Sequence, residues 1–531
     1  MLIATALTIN VSFSFAQKKN EPAKAAEGWH HLELKLNKVY GINTEGAYKL
    51  LGGNKGSKVI VAVIDGGTDI NHEDLKEIIW TNPGETPNNG VDDDKNGYVD
   101  DLHGWNFIGG KEENIHHDTY ELTRLYVKMK PKYNNPDTVK FTKEDWVEYE
   151  KFLDVRDDYE TQFGRAKSTY DLYTDVDRGV NGLLKKLRTT EPVLEDVLQY
   201  RPLNKGEIGA KGYLVTCIKQ GMTTKDARAE LTSVKEYYGK QLEYYLNTGY
   251  NQRQQIVGDF YESANQRNYG NADVIGPDAG HGTHVAGIIA AIRNNGKGMN
   301  GIADNVSIMV VRVVPDGDER DKDVANAIRY AADNGASVIN MSFGKYYVYN
   351  KKAVDDAIKY AMSKDVLMVH AAGNDYSNID YRTHYPTSTL DDSTKVTGWM
   401  EVGALNWTTD KTLMAAFSNF GHASVDVFAP GVDIFSTVPN NEYKSESGTS
   451  MAAPVTAGVG ALIRSRYPNL TAEQVKQVII KSVVPIKKKV LIPSTRKKKE
   501  KVKFKKMSVS GGAVNMYNAI VLASQTVGAK K

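Results

Sequence analysis

The chain has 531 residues, 41% of them hydrophobic, so it can bury one large core or two ordinary ones. Its 67 Lys and Arg nearly balance its 65 Asp and Glu, which argues against a nucleic-acid-binding protein. The single cysteine, Cys217, excludes an internal disulfide framework.

The first residues, MLIATALTINVSFSFA, form an apolar run with small residues at Ser14 and Ala16. This pattern predicts a signal peptide over residues 1–16, followed by an N-terminal segment over 17–45, although no Lys or Arg precedes Lys18. A buried N-terminal strand is the alternative. Because no other apolar stretch approaches the roughly 20 residues of a membrane span, we expect an exported protein (periplasmic, cell-surface or extracellular) without a transmembrane anchor.

Four β-branched runs alternate with helical patterns farther along. The runs are SKVIVAVIDGG (57–67), VSIMVVRVV (306–314), ASVINMSFG (336–344) and DVLMVHAAGN (365–374), with helical patterns over 323–335 and 353–365. Such runs are typical of strands buried on both faces, so they predict an α/β fold with a doubly wound, mostly parallel sheet and helices on both faces. Polar residues at the strand ends (Asp65, Ser342, Asn374) should then meet at the carboxyl edge of the sheet.

Residues 111–269 are rich in tyrosine and charge and poor in parallel-strand runs. Apolar residues step by three or four from Phe152 to Leu187 and from Ala227 to Tyr245, the second series after a capping-box pattern at Thr223. We therefore expect a mainly α-helical insertion over 111–269. It would divide one domain into two parts, 46–110 and 270–531.

Three motifs carry the residue types of nucleophilic catalysis: VIDGGTDINHEDL around Asp65, HGTHVAG beginning at His281, and GTSMAAP containing Ser450. A serine hydroxyl needs an imidazole to take its proton and a carboxylate to orient that imidazole. Asp, His, Ser is one of the chain orders in which this geometry occurs. Each residue alone could be structural, as a turn-capping carboxylate, a buried histidine or an N-cap serine; together they favour catalysis.

On these motifs the chain resembles the subtilisin-like serine proteases (the S8-type subtilases) over about residues 46–109 and 270–525. The resemblance implies that Asp65 orients His281, that His281 is the general base and acid, and that Ser450 is the nucleophile. It further implies that Asn374, in HAAGND, and the Ser450 N–H donate to the oxyanion. Gly448 is expected to allow a tight turn into the helix that carries Ser450.

The resemblance also implies where substrate binds. A peptide would pair with an extended segment, and a second segment would wall the pocket for the residue before the cleaved bond. Phe343 replaces the aliphatic residue usual in the family, which leaves the pocket's shape open. The residues of the two segments are Ser342, Phe343 and Gly344, and Ala371, Ala372 and Gly373.

An acidic stretch, VDDDKNGYVDDLHGWNF, follows a D-x-D-x-N-G-x-x-D spacing that can wrap oxygen ligands around calcium. Its twelfth position is His103, where an EF-hand has a glutamate, so an Asx-rich turn without metal is the alternative. No organic cofactor is expected. The calcium ligands on this hypothesis are Asp92, Asp94, Asn96 and Asp100.

Two other patterns carry weaker signals. His281 and His284 have H-x-x-H spacing but lack the glutamate of the zinc motif H-E-x-x-H and a third ligand. The basic run over 486–506 is typical of a solvated loop or charged hairpin.

The sequence therefore predicts an exported, monomeric serine endopeptidase that cleaves proteins or peptides through an acyl-enzyme. Two alternatives are a catalytically idle protein that binds a partner through its helical insertion, and an esterase with the same triad. The position of the insertion between Asp65 and His281 suggests a further hypothesis, that it acts as a lid or docking arm for substrate.

Overall fold

The computed structural model describes residues 25–137, 140–492 and 500–528. The predicted signal peptide lies outside these residues. The chain divides into two compact units, one built from Glu160–Glu243 and the other from Ala26–Tyr159 together with the residues from Tyr244 onward. The boundaries expected from the sequence, 111 and 269, stay a prediction.

The larger unit is built on a mostly parallel sheet. The strands of the described residues are β1 (Val59–Asp65), β2 (Gly104–Asn106), β3 (Val306–Arg312), β4 (Val338–Met341), β5 (Leu367–Ala371), β6 (Trp399–Leu405), β7 (Val427–Pro430), β8 (Ile434–Val438), β9 (Glu442–Glu446), β10 (Val484–Pro485), β11 (Lys489–Ile492), β12 (Glu500–Lys503) and β13 (Gly512–Ala513). Nine of these form the main sheet, in the order β10-β13-β7-β6-β5-β4-β1-β3-β2. Neighbouring strands in it are parallel except at the β10–β13 edge.

Helices accompany both units. Those of the described residues are α1 (Leu34–Asn37), α2 (Thr44–Leu51), α3 (Glu121–Tyr133), α4 (Lys143–Leu187), α5 (Leu194–Gln199), α6 (Lys205–Lys219), α7 (Thr224–Lys240), α8 (Arg253–Ile256), α9 (Gly280–Ala290), α10 (Asp321–Asp333), α11 (Lys351–Ser363), α12 (Thr449–Arg466), α13 (Ala472–Lys481) and α14 (Met516–Gly528). Among them, none is long and apolar enough to cross a membrane.

Both faces of the sheet are covered by helices, as the continuous apolar runs predict. Ala62 and Ile64 of β1 share a hydrophobic cluster with residues of α10 and α11. Val61 and Val63 point to the opposite face and are fully buried, and α12 contacts β1 and the strands from β4 to β7. This confirms the doubly wound α/β fold, and it places the carboxyl end of β1 where the strand order reverses.

The smaller unit is helical, which confirms the helical insertion. Residues of α4, α6 and α7, among them Val180, Leu214 and Leu231, form its hydrophobic core. The capping box that opens α7 has both reciprocal hydrogen bonds between Thr223 and Asp226.

The basic run near the C-terminus is partly described. Its β11 and β12 pair as antiparallel strands, as in the expected hairpin, and residues 493–499 between them lie outside the described residues.

Buried ion pairs fix the segment that follows β4. Lys345 Nζ lies 2.6 Å from Glu121 Oε2 and 2.7 Å from Asp321 Oδ1. Arg124 donates to both oxygens of Glu121, at 3.1 and 3.0 Å. Burial alone would raise the pKa of Glu121, but the two cations lower it to about 2. The start of α3 is thereby joined to the segment predicted to bind substrate.

We predict that Glu121→Gln lowers the free energy of unfolding by about 3–5 kcal/mol, because the buried Arg124 and Lys345 each lose a directly hydrogen-bonded carboxylate. Because the folded-state pKa of Glu121 is lowered to about 2 from 4.5, its stabilisation is complete above pH 4.5 and is lost as pH falls toward 2. Urea denaturation at pH 7 and pH 3 measures both effects. Glu112→Gln is the control, because that side chain is 84% exposed. Equal unfolding midpoints for the two variants at pH 7 would contradict the prediction.

Candidate active site

The structure brings Asp65 and His281 into direct contact. Both carboxylate oxygens of Asp65 face His281 Nδ1, at 2.9 and 3.0 Å. Asp65 is the buried last residue of β1, and His281 is the second residue of α9, where its side chain is 42% exposed. The carboxylate can accept a hydrogen bond from Nδ1–H, which leaves Nε2 as the basic nitrogen. This is the tautomer that a general base requires.

The charged groups around His281 favour its protonated form, compared with a free histidine in water. Burial lowers the pKa of His281, but the charge and hydrogen bond of Asp65 outweigh it, and the net pKa is raised. Glu446 and Asp278 add smaller effects in the same direction. The imidazole is therefore a stronger base than an unperturbed one.

Ser450 is the second residue of α12, which packs against α9. Its Oγ donates to the carbonyl oxygen of Ser342 at 3.1 Å, and Ser342 Oγ donates in return to the Ser450 carbonyl oxygen at 2.9 Å. Within residues 25–137, 140–492 and 500–528, no hydrogen bond joins Ser450 to His281. Proton transfer between them requires the hydroxyl to leave the Ser342 carbonyl.

Asn374 is held by Thr449, a buried residue that sequence reasoning missed. Asn374 Oδ1 accepts from both the N–H and the Oγ of Thr449, each at 2.9 Å. Since only the oxygen of the amide can accept an N–H, these bonds fix the amide's orientation and turn Nδ2 away from Thr449. A threonine between a glycine and a candidate nucleophile was the available sequence signal.

Gly448 leaves a space between the two expected oxyanion donors. A Cβ on this residue would lie 3.5 Å from both Asn374 Nδ2 and Ser450 N. The expectation of a glycine-dependent tight turn is wrong, because Gly448 has φ 171°, an extended conformation open to any residue. The glycine matters for the space. Near the start of α12 the Ser450 N–H has no partner within the helix, so it is available to an oxygen there.

Arg312 is a second missed residue. It ends β3 opposite Asp65 in the sheet register and is fully buried. Its Nε donates to the Gly66 carbonyl oxygen at 2.7 Å and its Nη1 to Asn106 Oδ1 at 3.1 Å. It therefore fixes the backbone just after Asp65. Its sequence signal is a charge at the end of an apolar run.

The two predicted substrate segments lie at the carboxyl ends of neighbouring parallel strands, the first directly after β4 and the second beginning with Ala371, the last residue of β5. Ser342 is buried against Ser450, as described above. The half-buried Phe343 ring packs against the main core and meets the His370 ring at 6.4 Å between centroids. Ala371 and Ala372 are buried, whereas Gly344 and Gly373 are partly exposed. Of the six residues, Phe343, Gly344 and Gly373 are the partly exposed ones.

In the acidic loop, the structure brings together a set that differs from the predicted one. Ligand atoms of Glu85, Asp92 and Asp94 lie within 4.8 Å of one another. Asp100 instead accepts the N–H groups of Asn89 and Gly90, at 3.1 and 2.9 Å.

The other predicted ligand, Asn96, is engaged within the loop. Its Nδ2 donates to Asp94 and Asp101, and its Oδ1 accepts from the Tyr98 N–H.

Glu85 tests whether a cation fits this loop. Its Oε1 accepts the N–H groups of Asp93 and Asp94, at 3.0 and 3.2 Å. Its Oε2 is buried without a hydrogen-bond partner, in a residue that is 8% exposed. A buried carboxylate oxygen with no donor is costly unless a cation compensates it, so the donor set fits a hard divalent ion such as calcium.

His284 lies apart from any candidate zinc site in the described residues. It is fully buried, and its Nε2 lies 3.0 Å from the Lys444 carbonyl oxygen. Burial lowers the pKa of His284 to about 4, so it is neutral at physiological pH.

With this geometry in place, comparison with known proteins identifies the family. The model of the subtilase family matches residues 56–508. The chain belongs to the subtilase family.

Several curated relatives are proteases by name. The chain is 43% identical over 190 residues to the thermophilic serine proteinase of Bacillus sp. (strain AK1), 36% of this chain and 43% of that one. It is 40% identical over 199 residues to subtilisin DY of Bacillus licheniformis, 37% and 68% of the two chains. It is 40% identical over 189 residues to thermitase of Thermoactinomyces vulgaris, and these residues are 35% of this chain and 62% of thermitase. The chain thus matches 43% to 68% of the length of these relatives.

For this subtilase we predict an acid limb of kcat/KM with an apparent pKa above 6.5, because only neutral His281 accepts a proton and Asp65 raises its pKa. Asp65→Asn removes the charge, so the limb should move to lower pH and the rate should fall by about 10⁴-fold, as in serine proteases of another fold. Asp278→Asn, which also removes a charge that raises this pKa, should move the limb less. A limb unmoved by Asp65→Asn would contradict the assignment.

Proposed function

We propose that this chain is an exported serine endopeptidase that hydrolyses peptide bonds of proteins through an acyl-enzyme. The observation that carries the proposal is the two-oxygen contact of Asp65 with His281, beside the helix that bears Ser450. The similarity to a serine proteinase and to a subtilisin supports the same activity. Export rests on the apolar run of residues 1–16.

In the first step, His281 Nε2 takes the Ser450 proton while Oγ attacks the scissile carbonyl carbon. The carbonyl oxygen becomes an oxyanion in the space beside Gly448, where Asn374 Nδ2 and the Ser450 N–H donate to it. Losing a donor of this kind costs about 10²–10³-fold in turnover, as observed when a subtilisin loses its asparagine. Asp65 stabilises the imidazolium that forms.

The acyl-enzyme then forms and breaks. The tetrahedral intermediate collapses, the C–N bond breaks, and His281 returns the proton to the leaving amine. Water, deprotonated by the same imidazole, hydrolyses the ester and restores Ser450. The substrate backbone would pair with the segment from Ser342 to Gly344, as an added strand.

A fluorophosphonate probe tests the nucleophile. The probe should label the wild type and Ser445→Ala, in which an exposed serine nearby is replaced, and should fail to label Ser450→Ala, because Oγ forms the covalent bond. Labelling of Ser450→Ala would contradict the assignment. A folded wild type that resists the probe would instead favour the idle binding protein. Labelling with hydrolysis of esters but not of casein would favour an esterase.

We further propose that the acidic loop binds calcium through Glu85, Asp92 and Asp94. The buried Glu85 oxygen without a partner supports this ligand set over the one with Asp100. When bound, the ion would neutralise three clustered carboxylates and stabilise the loop that leads into β2.

Calorimetric titration of the metal-stripped chain with calcium tests the site. Glu85→Gln should weaken one site by at least about tenfold, because ligand charge sets calcium affinity. Asp93→Asn is the matched control, since its carboxylate lies in the same loop but contacts Thr86 and Asn89. Its titration should equal that of the wild type. Equal titrations for all three proteins would rule the site out.

A further inference from the structure

The imidazole of His384 lies between the two substrate segments. A Cβ on Gly344 would lie 2.3 Å from His384 Cε1, and a Cβ on Gly373 would lie 3.0 Å from His384 Nε2. These distances are shorter than van der Waals contact, so the ring occupies the space that a side chain on either segment would need. Gly344 allows the histidine to lie there, and a Cβ on Gly373 would meet both the histidine and, at 2.4 Å, Asn419 Nδ2.

Backbone pairing holds His384 in this position. The next residue, Tyr385, exchanges two hydrogen bonds with Lys345, at 3.0 and 2.8 Å. Lys345 follows Gly344 directly and is fixed by the buried ion pairs described above. The backbone that carries the ring is therefore held beside the first segment.

The ring is also supported from beneath. Its centroid lies 5.5 Å from that of His370 and 5.3 Å from that of Tyr346. His370 Nδ1 lies 2.9 Å from one oxygen of Glu401, whose other oxygen accepts from the Trp399 indole at 2.9 Å. The ring therefore packs against a group of side chains that are themselves hydrogen-bonded and buried, His370, Glu401 and Trp399 among them.

The floor that His384 provides is uncharged. The residue is 7% exposed, and burial lowers its pKa to about 3. A neutral imidazole offers no charge to pair with an acidic or basic side chain of a substrate. The depth of the pocket, and not its charge, is then the main property by which it discriminates between substrate side chains.

We propose that His384 forms the floor of the pocket for the residue before the cleaved bond and makes it shallow, so that small uncharged side chains are selected over aromatic ones. The inference rests on the proposed protease function and on the two substrate segments. Because the imidazole already fills space beside both Gly344 and Gly373, a large ring that enters between them would overlap it, and a short side chain reaches less far toward it. His384 is thus a specificity-determining residue.

Matched peptide anilides that differ only in the residue before the anilide, alanine or phenylalanine, test the proposal. The wild type should cleave the alanine substrate with a kcat/KM at least about tenfold higher, a usual size for steric discrimination in a pocket. His384→Gly should raise the phenylalanine-to-alanine ratio of kcat/KM by at least about tenfold. Each ratio is measured on one enzyme sample, so it does not depend on the fraction of folded enzyme.

His422→Gly is the control, since it removes an exposed histidine by the same substitution, and its ratio should equal that of the wild type. If His384→Gly does not fold, the same ratio is measured for His384→Asn. The preference of the wild type for alanine over phenylalanine tests the proposal without any variant. A wild type that prefers phenylalanine, or a ratio unchanged in a fluorophosphonate-labelled His384 variant, overturns the inference and leaves the protease proposal standing. A wild type that the probe does not label overturns both.

Discussion

The contact between Asp65 and His281 joins two residues that are 216 positions apart, and the proposed chemistry depends on it. The end of β1 and the start of α9 must therefore lie together although a helical segment separates them in the chain. In the larger unit, residues on the two sides of this helical segment are hydrogen-bonded to each other. Tyr120 N–H donates to the Tyr245 carbonyl oxygen at 2.9 Å, and Thr123 Oγ donates to the same oxygen at 2.8 Å. With its two ends joined in this way, a long insertion costs little loop-closure entropy.

The site combines fixed groups with one that has to move. Thr449 fixes Asn374, and Arg312 fixes the backbone after Asp65, so the donors and the base are oriented before substrate arrives. Such preorganisation is what makes electrostatic stabilisation effective, since no reorganisation is needed during reaction. Ser450 differs, because its hydroxyl donates a hydrogen bond to the Ser342 carbonyl oxygen and not to His281. In the free chain the proposed base and the proposed oxyanion asparagine are therefore oriented, whereas the hydroxyl of the proposed nucleophile must turn toward the base.

Features that depend on local pattern were predictable from sequence. The run over 57–67 became β1 at Val59–Asp65, because continuous β-branched residues form strands buried on both faces. Features that depend on long-range packing were not. Glu85 lies outside the spacing that pointed to Asp92 and Asp94, and His384 belongs to no motif. The role of Gly448 was misjudged because the sequence indicates that a glycine is needed, but not whether for its φ angle or for the space beside it.

A crystal structure of the chain with a peptide boronic acid would show whether the four groups act together, since boron bonded to the nucleophile mimics the tetrahedral intermediate. We expect boron on Ser450 Oγ, with one boron-bound oxygen about 3 Å from both Asn374 Nδ2 and Ser450 N. His281 Nε2 should lie within hydrogen-bonding distance of the boronate or of Oγ. Boron bound to another residue, or a His281 ring that stays out of hydrogen-bonding reach of the adduct, would contradict the account.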